Sequence, residues 1–264
     1  MLLENKVAVI YGAAGAVGSA VAKAFAREGA RVFLTGRNLP NVEKVAKEIA
    51  AANGKAEAAQ VDALDEKAIE DHLASVIKAA DKVDITFNAI TPVPQPRVQG
   101  VPLEKLPVEN FLAPIVAYSR SHFLTARAAA RRMAEKGSGV ILMHTPEPAR
   151  IGAALVGGMG PAWAAMEALN RNLSAEFGPR GVRSVAIRST GLPETGTIDI
   201  VFGLHASALG ITREQFQGFV ESMTHRKRST AVAEVANTAA WLASDQASAI
   251  TGTVVNLTGG LIVD

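Results

Sequence analysis

Seven residues near the start of the chain pose the first chemical question. Gly12-Ala13-Ala14-Gly15-Ala16-Val17-Gly18 lie between a short apolar run and a segment of helical periodicity. Glycines there let the backbone turn sharply and approach a pyrophosphate. A helix starting at that point aims its free N–H groups and positive dipole end at the same anion. The spacing suits a dinucleotide, with Gly12, Ala14, Gly15, Val17 and Gly18 as its candidate contacts. A tight strand-to-helix turn built from small residues for packing is the plain alternative. About twenty residues on, the fold would place an acid to accept hydrogen bonds from the adenosine ribose. The chain reads Leu34-Thr35-Gly36-Arg37-Asn38 instead, and the next acid is Glu43. Arg37 offers a planar cation suited to a 2′-phosphate, which favours NADP(H) over NAD(H). An ordinary solvated loop arginine is the other reading. Asp62, with Ala63 beside it, can accept from the adenine amino group, or it can simply open the next helix together with Asp65.

These residues need a scaffold, and the hydropathy pattern supplies one. Val7 to Tyr11, Ala30 to Thr35, Ala56 to Val61, Val83 to Phe87, Val140 to His144, Val182 to Ile187 and Thr253 to Leu257 read as buried strands, too short for typical helices. Val17, Ala20, Val21, Ala24 and Phe25 follow one helix face, as do Val42, Val45, Ala46 and Ile49. Val232, Val235, Ala236, Ala239 and Leu242 repeat that stripe near the end. Alternating strands and helices with continuously apolar strands predict a single α/β domain, residues 1–264, built as a Rossmann-like doubly wound parallel sheet of about seven strands. Two segments break the rhythm. Residues 91–107 carry Pro92, Pro94, Pro96, Pro102 and Pro107 and cannot form regular helix. Residues 189–230 form a long excursion on the substrate side, with one helix expected behind the capping-box pair Thr212 and Gln215.

Composition narrows the function classes. Of the 264 residues, 27 are Lys or Arg and 25 are Asp or Glu, a net charge of +2 that leaves no cationic excess for nucleic acid. No cysteine occurs, which excludes disulfides, thiolate metal sites and a cysteine nucleophile; no metal site is expected. No apolar run reaches about 18 residues, so no membrane span is expected. The opening Met1-Leu2-Leu3-Glu4-Asn5-Lys6 lacks the pattern of a secretory signal, and a cytoplasmic location is the expectation.

The chain resembles the short-chain dehydrogenase/reductase family over essentially its whole length. The resemblance is carried by YGAAGAVG, LTGR, VDITFNA, EALNRNLSAEFGPRGVRSVAI, TGLPET and AEVANTAAWLASDQASAITGTVVNLTGG. It implies an oxidoreductase in which Gly12, Gly18 and the loop between them hold the pyrophosphate, Arg37 the 2′-phosphate and Asp62 the adenine. Asn88 and Ala89 would line the cofactor, and Thr195, closing Gly191-Leu192-Pro193-Glu194-Thr195, would contact the nicotinamide amide with Leu192 beside it. The family's second glycine is Ala16 here, with Gly15 one place earlier, and its Asn-Ala-Gly reads Asn88-Ala89-Ile90.

The family's catalytic positions are occupied by other residue types. Aligning Ala164 to Leu169 with the family helix puts Met159 at the tyrosine and Trp163 at the lysine; the serine falls at Thr145 or Pro146, and the asparagine at Tyr118. A thioether has no proton to give and an indole does not titrate. Losing a positioned acid–base group removes roughly a hundred- to ten-thousand-fold of rate. Tyr118, Thr145 and His144 are the candidate replacements, although strand alternation puts His144 and Thr145 on opposite faces. Tyr11 is expected beside the adenosine, His122 at a surface or interface, and Glu147, between Pro146 and Pro148, as a solvated loop acid near the pocket.

Met159 and Trp163, one helical turn apart, would make the pocket apolar and suit a flat or greasy ligand; helix packing is the alternative. The basic run His225-Arg226-Lys227-Arg228 reads as a solvated segment. Family practice and the apolar end Leu261-Ile262-Val263-Asp264 predict a homodimer or homotetramer. Beside the oxidoreductase, two alternatives remain at this point: a cofactor-binding pseudoenzyme acting as sensor or partner subunit, and a lyase or isomerase on the same fold.

Overall fold

A computed structural model describes residues 1–92 and 95–263. Pro94 of the proline-rich segment and Asp264 of the apolar end therefore lie outside the described residues. Seven strands form one parallel sheet in the order β3-β2-β1-β4-β5-β6-β7. They are β1 (Val7–Tyr11), β2 (Arg31–Gly36), β3 (Lys55–Gln60), β4 (Ile85–Asn88), β5 (Gly139–Pro146), β6 (Val182–Ser189) and β7 (Val254–Leu257). Each lies within a residue or two of the apolar run that predicts it.

Side chains alternate along every strand, so successive residues go to opposite layers. Ala8, Ile10, Leu34, Phe87, Leu142 and Ile187 face one layer, made by α1 (Ala16–Arg27), α2 (Leu39–Ala51) and α8 (Val232–Ala243). Val7, Val9, Tyr11, Ile141 and Met143 face the other, made by α3 (Glu66–Ala80), α4 (Val108–Lys136) and α5 (Met159–Phe177). The stripes read from sequence are the buried faces: Val21 and Phe25 of α1, Val42, Val45 and Ile49 of α2, Val235 and Ala239 of α8. Phe25 meets Phe87 edge-on at 6.4 Å, worth about 0.5–1.5 kcal/mol beyond the area buried.

The strand order reverses between β1 and β4, and a crevice opens there at the carboxyl ends of the strands, where ligands bind in such sheets. Two long segments overhang it. The proline-rich one forms short 3₁₀ turns at Gln95–Arg97 and Leu103–Lys105. The second contains two helices where one was expected: α6 (Gly196–Leu209) and α7 (Arg213–Met223). Thr212 opens α7 as its capping box predicts: its Oγ1 accepts from the Gln215 N–H at 3.2 Å, and its own N–H donates to Gln215 Oε1 at 2.8 Å. The unexpected α6 starts at Thr195, whose Oγ1 accepts from the Ile198 N–H at 3.3 Å.

Candidate functional site

The glycine turn is shaped by contacts that only glycine permits. Gly12 has φ +76°, and a Cβ built on it would lie 2.6 Å from the Ala89 carbonyl oxygen. A Cβ on Gly18 would meet the Gly12 carbonyl oxygen at 2.3 Å, so that glycine lets α1 close onto its own turn. Gly15 is less constrained, with the nearest atom 3.4 Å away. The turn leaves Ala14, Gly15 and Ala16 exposed and Val17 half-buried. No side chain caps α1, whereas α2, α3, α6 and α7 are capped by Asn38, Asp65, Thr195 and Thr212. The first N–H groups of α1 are thus available to an anion.

Arg37 follows β2, exposed and without an ion-pair partner among the described residues. Asp62 is exposed beside the half-buried Ala63, and its Oδ1 accepts from the Leu64 N–H at 3.0 Å. Asp65, not Asp62, caps α3. Asn88 is buried at the end of β4. Its Nδ2 donates to Thr125 Oγ1 at 3.0 Å, and its Oδ1 has no partner among the described residues. These residues, from the ends of β1 to β4, lie along one sheet edge and fit a dinucleotide: a cradle that a Cβ would fill, an uncapped helix start and an unpaired cation.

A cavity of about 510 Å³ continues from this turn. Gly15, Ala16, Val17, Ala89, Leu192 and Thr195 line the end nearest the glycine turn. Ile198, Val201 and Phe202 of α6, with Phe216, Phe219 and Met223 of α7, form an apolar wall. Phe202 and Phe216 pack edge-on at 5.2 Å. The remaining polar groups are few, and no lysine or arginine lines the cavity among the described residues.

Four titratable side chains line it. Tyr118 meets Trp163 edge-on at 6.3 Å, and burial pushes its phenol up to about 12, against the pull of Thr91 and Trp163. His144 Nε2 lies 2.8 Å from Ser189 Oγ, whose own proton goes to the Thr190 carbonyl at 2.8 Å. Ser189 therefore accepts from His144, which assigns the Nε2–H tautomer. Burial lowers His144 to about 4, so it is neutral at working pH. His205 Nε2 lies 3.2 Å from Gln99 Oε1, and burial lowers that ring too. Glu147 is the group whose position sequence reasoning undervalued. It is half-buried rather than solvated, its Oε2 is buried without a partner among the described residues, and burial raises its carboxyl to about 7.

Several expected site residues lie elsewhere. Thr145 is fully buried on the opposite face of β5 from His144, outside the cavity; its Oγ1 donates to Glu167 Oε1 at 2.9 Å. Glu167 also takes two hydrogen bonds from Arg188, at 2.8 Å from Nε and 2.6 Å from Nη2. Met159 is buried in the layer beneath α5, so of the expected apolar pair only Trp163 reaches the cavity. Tyr11 is completely buried in the α3–α4 layer, away from the glycine turn, because the first residue of its alternating set, Val7, already faces that way. His122 is not a surface residue: it is 1% exposed, stacks on Tyr118 at 5.9 Å and donates from Nδ1 to the Tyr118 carbonyl at 3.0 Å. His225, Arg226 and Lys227 are exposed as expected, while Arg228 pairs with Glu234. Among the described residues no cluster could hold a metal, and no helix is long and apolar enough to cross a membrane.

Comparison with known proteins agrees with this architecture. Residues 12–262 match the profile of the family described as enoyl-(acyl carrier protein) reductase. An uncharacterised oxidoreductase of Bacillus subtilis, YxbG, is 31% identical, the alignment covering 98% of this chain and 92% of that protein. An L-rhamnose 1-dehydrogenase (NAD(P)(+)) of Azotobacter vinelandii is 30% identical over 100% of this chain and 99% of its own. Among solved structures, a 7α-hydroxysteroid dehydrogenase complexed with NADH and 7-oxo glycochenodeoxycholic acid superposes with a TM-score of 0.85. It is 26% identical, with 98% of this chain and 94% of that one covered.

Proposed function

The chain belongs to the short-chain dehydrogenase/reductase family, and from that premise we propose that it is an NADP(H)-dependent oxidoreductase of an apolar small molecule, working with an atypical catalytic centre. The observation that carries the reading is one continuous cavity, lined at one end by the glycine turn and at the other by the aromatic wall of α6 and α7. Gly12, Ala14, Gly15, Val17 and Gly18 would hold the pyrophosphate, Arg37 the 2′-phosphate, Asp62 and Ala63 the adenine, and Asn88, Ala89, Leu192 and Thr195 the nicotinamide half. When bound, the cofactor supplies or receives a hydride.

With Met159 and Trp163 at the family's tyrosine and lysine positions, the remaining polar groups of the cavity orient the substrate. Tyr118 keeps its proton at any working pH and donates a hydrogen bond; neutral His144 accepts one at Nδ1. Thr145 serves the fold, because its hydroxyl is occupied by Glu167. A homo-oligomer without nucleic-acid or membrane partners completes the reading.

The test is thermal stabilisation by NADPH and by NADH, repeated on Arg37→Glu. A ligand at about a hundred times its dissociation constant adds about 2.7 kcal/mol of stability. Stabilisation by NADPH that Arg37→Glu removes, with NADH unaffected, is the expected result. Equal stabilisation by both nucleotides in both proteins defeats the NADP(H) preference, and no shift with either defeats the oxidoreductase reading.

A further inference from the structure

We propose that Glu147 is the acid–base group of this cavity and that its ligand is a neutral, apolar carbonyl compound whose oxygen accepts the Glu147 O–H. The inference rests on the dinucleotide reading above and gives that site its substrate class.

The geometry comes from the chain turning immediately after β5. Pro146 ends the strand, and Glu147-Pro148-Ala149 make a single 3₁₀ turn. Prolines on both sides fix φ and hold the turn in one conformation. The turn packs against the start of α5, where a Cβ on Gly160 would lie 3.2 Å from the Pro148 carbonyl oxygen. The Glu147 side chain is thereby held against the cavity, with Oε2 buried and unmatched by any donor or acceptor among the described residues. An unpaired buried oxygen is costly unless a ligand or proton satisfies it.

No neighbouring charge holds the carboxyl in its ionised form. On the α5 side of the sheet, Glu167 of α5 and Arg188 of β6 are paired with each other and with Thr145, so neither charge is left over to act on Glu147. Arg150, following the turn, is exposed. Across the cavity are Tyr118, His144 and His205, each neutral near pH 7, and no cation lines the space among the described residues. The N–H groups of Glu147 and Gly191 pull its acidity back only in part, leaving a group that gains and loses a proton near pH 7. Acid–base catalysis asks for that property.

In the reductive direction the carbonyl carbon gains the hydride that a nicotinamide dinucleotide supplies. The C=O π pair moves to oxygen, the Glu147 O–H bond breaks, and the new alcohol keeps that proton. Glu147 is left as a carboxylate and is reprotonated by solvent that refills the cavity once the alcohol leaves. In the oxidative direction the carboxylate takes the alcohol proton.

The test uses 4-phenyl-2-butanone, a neutral aryl ketone. It is titrated calorimetrically into the NADP⁺-saturated protein, which cannot reduce it, at about pH 5.5 and about pH 9, on either side of the range where the carboxyl ionises. The wild type is expected to bind about tenfold more weakly at the higher pH, as one hydrogen-bond donor is lost. Glu147→Gln keeps a donor and should bind equally at both, while Glu147→Leu should bind weakly at both. With NADPH at the lower pH the wild type should reduce the ketone, and Glu147→Gln should lose about a hundredfold or more of that rate. Wild-type binding that ignores pH, Glu147→Leu binding like the wild type, undiminished reduction by Glu147→Gln, or no binding or no reduction by the wild type overturns the assignment. NADPH stabilisation, measured on every variant, reports folding and keeps the two readings apart. If it fails in the wild type, the dinucleotide reading has failed; if it holds while the ketone results fail, only the role of Glu147 has.

Discussion

The carboxylate of Glu167 provides a sharp test of why Thr145 is not in the cavity. Glu167 is 4% exposed and Arg188 6%, and they are joined by two hydrogen bonds with Thr145 as a third donor. Removing one partner of a buried ion pair costs about 3–5 kcal/mol, because the other charge stays buried and uncompensated. Glu167→Gln keeps one carbonyl oxygen for Arg188 Nε, so the low end applies, about 3 kcal/mol. At roughly 2–4 °C per kcal/mol for a domain of this size, the melting temperature should fall by about 6–12 °C. The double change Glu167→Leu with Arg188→Met removes both charges and should recover to within about 1 kcal/mol of wild type, since apolar replacement of buried pairs is often neutral. Thr145→Val leaves Glu167 with both arginine bonds and should cost about 1–2 kcal/mol without changing NADPH stabilisation or turnover. Thermal melts and urea midpoints at constant m-value measure all three. A double variant as unstable as Glu167→Gln would refute the uncompensated-charge argument. Thr145→Val that loses turnover at unchanged stability would return Thr145 to the chemistry.

Three further outcomes follow from the same geometry. Gly12→Ala forces a Cβ to within 2.6 Å of the Ala89 carbonyl at a left-handed φ. It should cost about 1–3 kcal/mol in a melt and abolish NADPH stabilisation. Burial lowers His122 to about 4, so the unfolded chain binds its proton first: its stability contribution is complete above about pH 6.5 and is lost as pH falls toward 4, about 3 kcal/mol in all. Urea midpoints at about pH 7.5 and 4.5 should show this loss, and His122→Phe should reduce it. Glu147 has the opposite sign. Its pKa is raised from 4.5 to about 7, so its contribution is complete below about 4.5 and lost as pH rises through 7. Glu147→Gln should therefore gain stability relative to wild type between those values, and a constant difference across the range contradicts the buried acid.

Much of the architecture is legible in the sequence because it depends on local periodicity. The strand runs, the stripes of α1, α2 and α8, and the Thr212–Gln215 capping box each state one element through residues close in sequence. Helix α6 escapes that reading because Ile198, Ile200, Val201, Phe202 and Leu209 point all around it, so no single face stands out, and Gly203 interrupts it. What the sequence leaves open at the site is decided by tertiary direction. Alternation separates His144 from Thr145 but does not say which one faces the cavity; the partners Ser189 and Glu167, both distant in sequence, decide that. Met159 and Trp163 share a helix face, yet at the first turn of α5 one sits under the helix and the other at the cavity. Glu147 reads as a loop acid because its burial comes from α5 and from the segment after β6, where the Gly191 N–H meets its carboxyl, with the two flanking prolines as the one signal in the sequence itself.

The apolar wall of the cavity is contributed by one uninterrupted stretch of chain, α6 to α7, while the cradle that suits the dinucleotide is built from the opposite end of the sequence. Phe219 and Met223 of that stretch are exposed, whereas Val201 and Phe202 are buried and Phe202 packs on Phe216. The rim of the cavity wall can thus vary independently of the buried side chains that anchor it. Replacements at Phe219 or Met223 can be explored by mutation and selection with little penalty elsewhere, making this rim the natural place for the protein to acquire a new substrate, in evolution or in a library.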